Sequence, residues 1–125
     1  MSKRLVHLVD DDDAVRRSLA RLLVLIGYAV KEYASGAELL EQADSLAGGC
    51  VLLDLNMPDA DGLAVYQALR DRSIKVPVAM ITGDGATADL SIAGVAGVLH
   101  KPFARAELES LLGRLFASQA GSNDR

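Results

Sequence analysis

The sequence lacks several features that would point to a secreted or membrane-embedded protein. It contains a single cysteine, Cys50, so an internal disulfide is excluded. No charged and then apolar segment of the secretory kind precedes Lys3, and no apolar run approaches the roughly 20 residues that a membrane-spanning helix needs. Internal repeats and low-complexity segments are absent too. These absences predict a soluble domain with the cytoplasm as its expected location.

Basic residues are also in the minority. The chain of 125 residues has 13 Lys and Arg against 17 Asp and Glu, which gives a formal net charge of -4 at pH 7. Binding to nucleic acid or to a membrane surface usually depends on a basic patch, so we expect neither of this domain. Half of the residues are hydrophobic, which is sufficient for one domain with one compact core.

Short apolar runs alternate with helical patterns along nearly the whole chain. This order predicts five βα units around a parallel sheet, an α/β fold. The predicted strands cover residues 5–9, 28–33, 50–53, 76–82 and 98–100. The third strand is a continuous apolar run that ends on Asp54, as expected of a central strand covered on both faces, whereas the second is weaker and edge-like.

Helices are predicted after each strand. Ser35 and Glu38 have the spacing of a capping box at the start of the second helix, and a brief fourth helix is expected around residues 87–93. The first helix ends at Gly27 and carries apolar residues at helical spacing, namely Val15, Leu19, Leu22, Leu23 and Ile26. The third carries Leu63, Val65, Tyr66 and Leu69, and the last carries Leu108, Leu111, Leu112, Leu115 and Phe116.

The carboxyl end of the chain has a different character. Residues 118–125, "SQAGSNDR", are small and polar without periodicity. We therefore expect a domain over residues 1–118, followed at 119–125 by a disordered tail or the start of a linker.

Four consecutive carboxylates, "DDDD" at positions 10–13, follow the first predicted strand. Two charges about 4 Å apart repel by about 1 kcal/mol in water and about 4 kcal/mol at an effective protein dielectric of 20, so something must offset the crowding. Asp12 and Asp13 are explained as the start of a helix, where acids cap free N–H groups. Asp10 and Asp11 need another explanation.

The other chemically suggestive residues lie at the ends of predicted strands. Asp54 ends the third strand, Thr82 ends the fourth and Lys101 follows the fifth. The functional crevice of an open parallel sheet lies outside the carboxyl ends of its strands, so these side chains should converge with Asp10 and Asp11. Such an oxygen-rich cluster suits Mg²⁺, which would offset the repulsion and leave positions for phosphoryl oxygens.

A carboxylate in this cluster could act as a nucleophile. Asp side chains form acyl phosphates, and the charge of a loose transition state could be stabilised by a hydrogen bond from Thr82 and by the ammonium of Lys101. Other titratable and aromatic residues have simpler explanations. Packing or surface positions are expected for His7, His100, Cys50, Tyr66 and Phe103.

Four motifs, "VDDDD", "LLDLNMPDADG", "MITGDG" and "HKPF", together resemble the receiver domain of two-component response regulators, particularly the FixJ-like group. The resemblance covers about residues 5–116. It implies a flavodoxin-like, doubly wound (βα)5 fold with strand order 2-1-3-4-5. It also implies a phosphoryl group received from a sensor histidine kinase or phosphotransfer protein, and a C-terminal effector domain as a further partner.

The resemblance also implies residue roles. Asp54 would be the phosphoacceptor, with Thr82 and Lys101 contacting the phosphoryl group. Asp11 and Asp54 would bind Mg²⁺ directly, or Mn²⁺ in its place. Asp10 would reach the metal through water and Asn56 through its backbone carbonyl, and the bond between Lys101 and Pro102 would be cis.

Two departures from the family pattern are visible. Receivers usually carry Tyr or Phe three residues before the final lysine, and Val98 stands at that position here. The fourth helix, within "ATADLSIAG", also reads about one turn shorter than in FixJ-like relatives. We expect that a shortened helix and a missing aromatic would remodel the usual output face.

Two alternative functions are considered. A phosphorylation-independent pseudo-receiver is favoured by Val98 but disfavoured by the complete set of acids, Thr and Lys. An aspartate-nucleophile phosphatase would need a second acid two residues after Asp54, and Asn56 occupies that position.

Overall fold

Five parallel strands form a single sheet at the centre of the protein. The computed structural model describes residues 3–55, 62–83 and 94–123. The strands are β1 (Leu5–Val9), β2 (Ala29–Tyr33), β3 (Cys50–Asp54), β4 (Val78–Thr82) and β5 (Gly97–His100). They pair in the order β2-β1-β3-β4-β5, and every pair is parallel. The predicted five-stranded α/β fold with its edge strand β2 is therefore confirmed.

Helices cover both faces of this sheet. Within the described ranges they are α1 (Asp13–Leu25), α2 (Gly36–Glu41), α3 (Gly62–Asp71) and α4 (Arg105–Asn123), with a 3-10 turn at Ala43–Ser45 after α2. The short helix predicted around residues 87–93 lies outside the described residues. In the parts of the chain that the structure covers, no helix has the length and apolarity needed to cross a bilayer.

The predicted helix starts match side-chain caps. The Asp12 carboxylate accepts a hydrogen bond of 3.1 Å from the Val15 N–H at the start of α1. The Ser35 hydroxyl accepts one of 3.1 Å from the Glu38 N–H at the start of α2. The Glu38 carboxylate reaches back to the N–H of Ala34, one residue before the cap, so the capping box is completed one position earlier than its usual form.

The sheet separates two apolar layers, because successive side chains of a strand point to opposite faces. Cys50 and Leu52 of β3 pack with α1 and α4, in what we call the α1/α4 layer. Val51 and Leu53 pack with α2 and α3, in the α2/α3 layer. All residues of β3 and β4 are buried, and each buried Val, Leu, Ile or Met side chain is worth about 1.5–3 kcal/mol relative to exposure.

The buried face of α1 differs from the prediction in one respect. Its buried residues are Arg16, Leu19, Ala20 and Leu23, whereas Val15 is 41% exposed. Val15 has the predicted helical spacing but lies outside the buried stripe. The buried stripe is turned toward Arg16, whose guanidinium finds polar partners next to the sheet.

The carboxyl end also differs from expectation. Helix α4 continues through Asn123, so the backbone is helical over most of the segment for which a disordered tail or linker was predicted. The reason is that small and polar residues such as Ser and Gln tolerate helical backbone when a packed helix already precedes them. The domain boundary at residue 118 itself stays a prediction.

His7 is a buried polar residue within β1. It is 1% exposed, and a 2.8 Å hydrogen bond joins its Nδ1 to the hydroxyl of Tyr33. Its Nε2 is buried and has no hydrogen-bond partner among the described residues. Burial, with a smaller effect of the Lys31 charge, lowers the pKa of His7 from its ordinary value. The imidazole is thus a packing residue, as predicted, and is neutral in the folded state.

This burial predicts a pH-dependent stability. The folded pKa of His7 is below 6.5, so its effect on stability is absent above the unfolded pKa. As pH falls below 6.5, the unfolded chain takes up a proton that the folded chain excludes. The free energy of unfolding should then fall by up to about 1.4 kcal/mol per pH unit. Urea denaturation between about pH 5 and 7.5 measures this slope.

The same titration should be flatter in His7→Gln, which keeps a hydrogen-bonding side chain but cannot be protonated. His100→Gln is the matched control, because His100 is exposed. Equal slopes in the wild type and His7→Gln would contradict the explanation.

Candidate functional site

The sheet register brings two aspartates to the same edge. Val9 of β1 pairs with Leu53 of β3, so the next residues, Asp10 and Asp54, lie side by side at the carboxyl ends of neighbouring strands. Both are buried, at 2% and 5% exposure. Asp54 therefore lies in a central strand with one acid beside it, as expected for residues that end neighbouring parallel strands.

Asp11 completes a cluster of three carboxylates. One carboxylate oxygen from each of Asp10, Asp11 and Asp54 can be chosen so that all three lie within 4.8 Å of one another. Asp11 is the exposed member, which leaves the cluster open to solvent on one side. No His or Cys of the described residues joins it, and an all-oxygen donor set is what Mg²⁺ prefers. The residues present therefore fit a hard divalent cation.

The ionised form of Asp10 is disfavoured in this cluster, as its raised pKa indicates. Burial raises the pKa of Asp10, and the neighbouring Asp54 raises it further. The N–H of Asp12 opposes this effect by donating a 2.9 Å hydrogen bond to the Asp10 carboxylate, and the charge of Lys101 also favours the ionised form. The acid is thus held in place by backbone and by a nearby cation, but its burial still disfavours the charge.

Lys101 supplies the cation opposite these acids. Its Nζ lies 3.9 Å from Oδ2 of Asp54, and its side chain is 37% exposed. Its N–H donates a 2.8 Å hydrogen bond to the carbonyl of Thr82, which ties the end of β5 to the end of β4. The peptide bond between Lys101 and Pro102 is cis, as the family resemblance implied. The hydrogen bond to Thr82 and the charge of Asp54 both hold Lys101 beside Asp54.

Thr82 ends β4 and is fully buried. Its strand is joined to the segment after Asp54 by a 2.9 Å hydrogen bond from the Leu55 N–H to the Ile81 carbonyl. Of the two predicted phosphoryl-contacting residues, Thr82 therefore ends β4, the neighbour of β3, and Lys101 follows β5, the neighbour of β4. Asn56, the predicted backbone ligand, lies outside the described residues.

The remaining predicted residues occupy ordinary positions. Cys50 is fully buried, and burial raises the pKa of its thiol to about 12, so it behaves as a small core residue. Tyr66 is buried in the α2/α3 layer, and Phe103 is partly buried against the α1/α4 layer. Val98 is half-buried against the α2/α3 layer. None of these residues belongs to the three-carboxylate cluster.

Two residues near the site were not assigned this position from the sequence. Gly62 begins α3, and a Cβ there would lie 3.0 Å from the Asp54 carbonyl oxygen and 3.0 Å from the Leu55 Cα. Helix α3 therefore begins in close contact with the end of β3. Arg16 was given no role, although its Nη1 donates a 2.9 Å hydrogen bond to the Asp10 carbonyl. The signal for Arg16 was its helical spacing with Leu19, Ala20 and Leu23.

Comparison with known proteins gives one consistent family. Residues 6–113 match the response regulator receiver domain. The transcriptional regulatory protein FixJ of Rhizobium meliloti is 37% identical over 106 residues, covering 82% of this chain and 52% of that protein. The tetrathionate response regulatory protein TtrR of Salmonella typhimurium is 39% identical over 115 residues, covering 87% of this chain and 54% of that protein. The chain spans about half the length of the curated relatives it matches.

Solved structures agree with this assignment. The crystal structure of FixJ-N superposes with a TM-score of 0.87 at 33% identity and covers 94% of this chain and 96% of that chain. Full-length FixJ from B. japonicum superposes with a TM-score of 0.83 at 27% identity, covering 94% of this chain but 59% of that chain. The described domain therefore corresponds to one part of a longer relative.

The crowding of carboxylates predicts that removing one stabilises the protein without divalent cations. In EDTA, Asp10→Asn should raise the free energy of unfolding by between about 1 and 4 kcal/mol, since it removes one of two neighbouring buried charges. The amide oxygen can still accept the hydrogen bond from Asp12. Thermal and urea denaturation measure the change.

Asp44→Asn is the control, because Asp44 is an exposed acid in the 3-10 turn, away from the cluster. A loss of stability in Asp10→Asn, or the same gain in both variants, would contradict the repulsion argument.

Proposed function

The chain belongs to the response regulator receiver domain family, a signalling family rather than a class of conventional enzymes, and on this basis we propose that Asp54 is its phosphoacceptor. The observation that carries the proposal is the position of Asp54. Its buried carboxylate ends a central strand, with two acids on one side and the Lys101 ammonium 3.9 Å from Oδ2. A strand-end carboxylate in such surroundings has both a cation site and a charge partner for a transferred group.

The donor in this proposal is the phosphohistidine of a sensor histidine kinase or of a phosphotransfer protein. A carboxylate oxygen of Asp54 attacks phosphorus, so that an O–P bond forms while the N–P bond of the phosphohistidine breaks. The imidazole nitrogen leaves with the electron pair and takes up a proton. Positioning and charge stabilisation carry most of the catalysis, because the transition state of phosphoryl transfer is loose. Hydrolysis of the acyl phosphate returns Asp54 to its carboxylate.

We propose that Asp11 and Asp54 bind Mg²⁺ directly, that Asp10 acts through water, and that Asn56 contributes its backbone carbonyl. Mn²⁺ could take the same oxygen donors. When bound, the ion neutralises charge on the phosphoryl oxygens and on the crowded carboxylates. The part of the protein is to hold these oxygens at one edge of the sheet. The fit is supported by the three carboxylates that approach within 4.8 Å.

Thr82 and Lys101 are proposed to contact the phosphoryl group once it is on Asp54. The Thr82 hydroxyl would donate a hydrogen bond to one phosphoryl oxygen, and the Lys101 ammonium would pair with another. The Lys101 N–H is bonded to the Thr82 carbonyl, so the two residues are linked through the backbone. The phosphorylated state is thus a second conformation, which a partner that binds it better would select.

One proposed partner is a further domain of the same protein. Its curated relatives are about twice as long as the aligned part, so we propose a C-terminal effector domain joined through residues 119–125. We also propose a cytoplasmic location, where the kinase domain would meet it. Direct binding to nucleic acid by this domain is not proposed, because the net charge is -4.

The alternative of a phosphorylation-independent receiver is addressed by one structural observation. Val98 is half-buried beside the α2/α3 layer and offers no ring to exchange between core and surface. Its replacement of the usual aromatic affects how the phosphorylated state is transmitted, but it leaves the acids, Thr82 and Lys101 in place. The phosphatase alternative lacks its second acid, since position 56 is Asn.

A direct test is phosphorylation by acetyl phosphate. With Mg²⁺ present, intact-mass spectra should show one added phosphoryl group, and the bond should be labile to both acid and base as expected of an acyl phosphate. Asp54→Asn should show no addition, because an amide is not a nucleophile of this kind.

The control is Asp44→Asn, in which an exposed acid outside the site is removed. Equal modification of the wild type and Asp54→Asn would contradict the assignment. Absence of modification in the wild type would favour the phosphorylation-independent alternative.

Mg²⁺ should also stabilise the fold in the absence of phosphate. At 100 times its dissociation constant a ligand stabilises the folded state by about 2.7 kcal/mol, and here it would relieve repulsion within the cluster. Asp11→Ala should abolish the effect, because it removes a proposed direct ligand of the cation. Asp11 is the exposed member of the cluster. Thermal denaturation with and without Mg²⁺ makes the measurement, and an equal shift in wild type and variant would refute the cation site.

A further inference from the structure

Arg16 is a buried cation whose guanidinium is bound on three sides. Its Nη1 donates to the Asp10 carbonyl at 2.9 Å, its Nε lies 3.0 Å from a Glu32 carboxylate oxygen, and its Nη2 lies 2.8 Å from a carboxylate oxygen of Asp13. The side chain is 9% exposed. Burial acts to lower the pKa of Arg16, but the bonds to Asp13 and Glu32 raise it above its ordinary value. The residue is fully charged in the folded protein.

These partners come from three separate elements. Asp10 follows β1, Asp13 begins α1, and Glu32 belongs to the edge strand β2. Of these three partners, Asp10 is the one that belongs to the three-carboxylate cluster. The Asp13 and Glu32 side chains are 72% and 38% exposed, so water can replace their bonds to Arg16. The Asp10 carbonyl is in a buried contact and has less access to water.

The segment 10–12, which we call the acid turn, is therefore held through both the carboxylate and the carbonyl of Asp10. On the side of the site, the Asp12 N–H donates to the Asp10 carboxylate. Arg16 binds the Asp10 carbonyl, which belongs to the peptide plane that leads into Asp11. A planar guanidinium sets this direction better than an ammonium, because its donors lie in a fixed plane.

We propose that Arg16 is a positioning residue of the cation site: it fixes the peptide between Asp10 and Asp11 so that their carboxylates face Asp54. The inference rests on the proposed function of this cluster as a Mg²⁺ site. Arg16 itself contacts neither the cation nor the phosphoryl group. Its effect is to reduce the number of conformations of the acid turn that do not bind, which raises the affinity of those that do.

A purely structural role makes a different prediction. If Arg16 only joins α1 to β2, its removal lowers stability and leaves cation affinity unchanged. If it positions the turn, affinity for Mg²⁺ falls even under conditions in which the variant is fully folded. Glu32→Ala separates the two roles, because it removes the link to β2 and leaves the hydrogen bond to Asp10.

The experiment is a Mg²⁺ titration followed by NMR amide shifts in the wild type, Arg16→Met, Arg16→Lys and Glu32→Ala. The half-saturating Mg²⁺ concentration should rise about tenfold in Arg16→Met, as expected when a group that orients metal ligands is lost. The half-saturating Mg²⁺ concentration of Arg16→Lys should lie between those of the wild type and Arg16→Met. Glu32→Ala should bind as the wild type does, even with a lower melting temperature.

Hydrogen exchange in metal-free protein gives a second readout. Exchange of the Asp11 and Asp12 amides should be faster in Arg16→Met than in Glu32→Ala at equal global stability. Should Arg16→Met fail to fold, Arg16→Lys still decides the question. Wild-type affinity and exchange in the Arg16 variants would overturn this inference alone, whereas failure of the wild type to bind Mg²⁺ would overturn the proposed cation site together with it.

Discussion

Repulsion between neighbouring carboxylates is the physical constraint that the contacts around the candidate site must offset. The parallel register brings Asp10 and Asp54 together at the ends of β1 and β3, and burial increases the cost of the charge on Asp10. The surrounding contacts reduce that cost: a backbone N–H binds one acid, and Lys101 approaches the other. The arrangement is tolerated because the apolar layers on the two faces of the sheet stabilise the fold independently of the site. Three carboxylates this close form an all-oxygen donor set of the kind that hard divalent cations prefer, which a dispersed set of acids would not provide.

Much of this fold could be predicted from the sequence because its signals are local. Strand β1 has the predicted bounds, since five consecutive residues are suited to a buried strand and an acid run ends them. Strand β4 is two residues shorter than predicted, because Pro77 and Val76 precede the ladder although Pro77 still offers its carbonyl to Val51. The helical pattern of α1 identified the helix but not the edge of its buried face. That edge depends on Arg16 and on Glu32, which lies sixteen residues away and on another element.

The convergence of the candidate site was predictable for a topological reason. In a parallel sheet every strand delivers its last residue to the same edge, so Asp54 and Lys101 could be placed together without knowledge of side-chain conformations. Contacts that depend on the third dimension could not be predicted in this way. The close approach of Gly62 to the Asp54 carbonyl is one, because a breaker glycine and a packing glycine have the same appearance in a sequence. The roles of the site residues stay predictions, and Asn56 lies outside the described part of the chain.

The division of the core by the sheet has a consequence for signal transmission. By strand alternation, Asp54 extends the side of β3 that faces the α1/α4 layer, as Cys50 and Leu52 do, whereas Thr82 extends the side of β4 that faces the α2/α3 layer, as Val78 and Met80 do. The carboxylate proposed to react and the hydroxyl proposed to contact its product therefore extend opposite faces of the same sheet. If Asp54 reacts as proposed, the change would reach the α2/α3 layer through the carboxyl end of β4, at the edge of the sheet where the two faces meet.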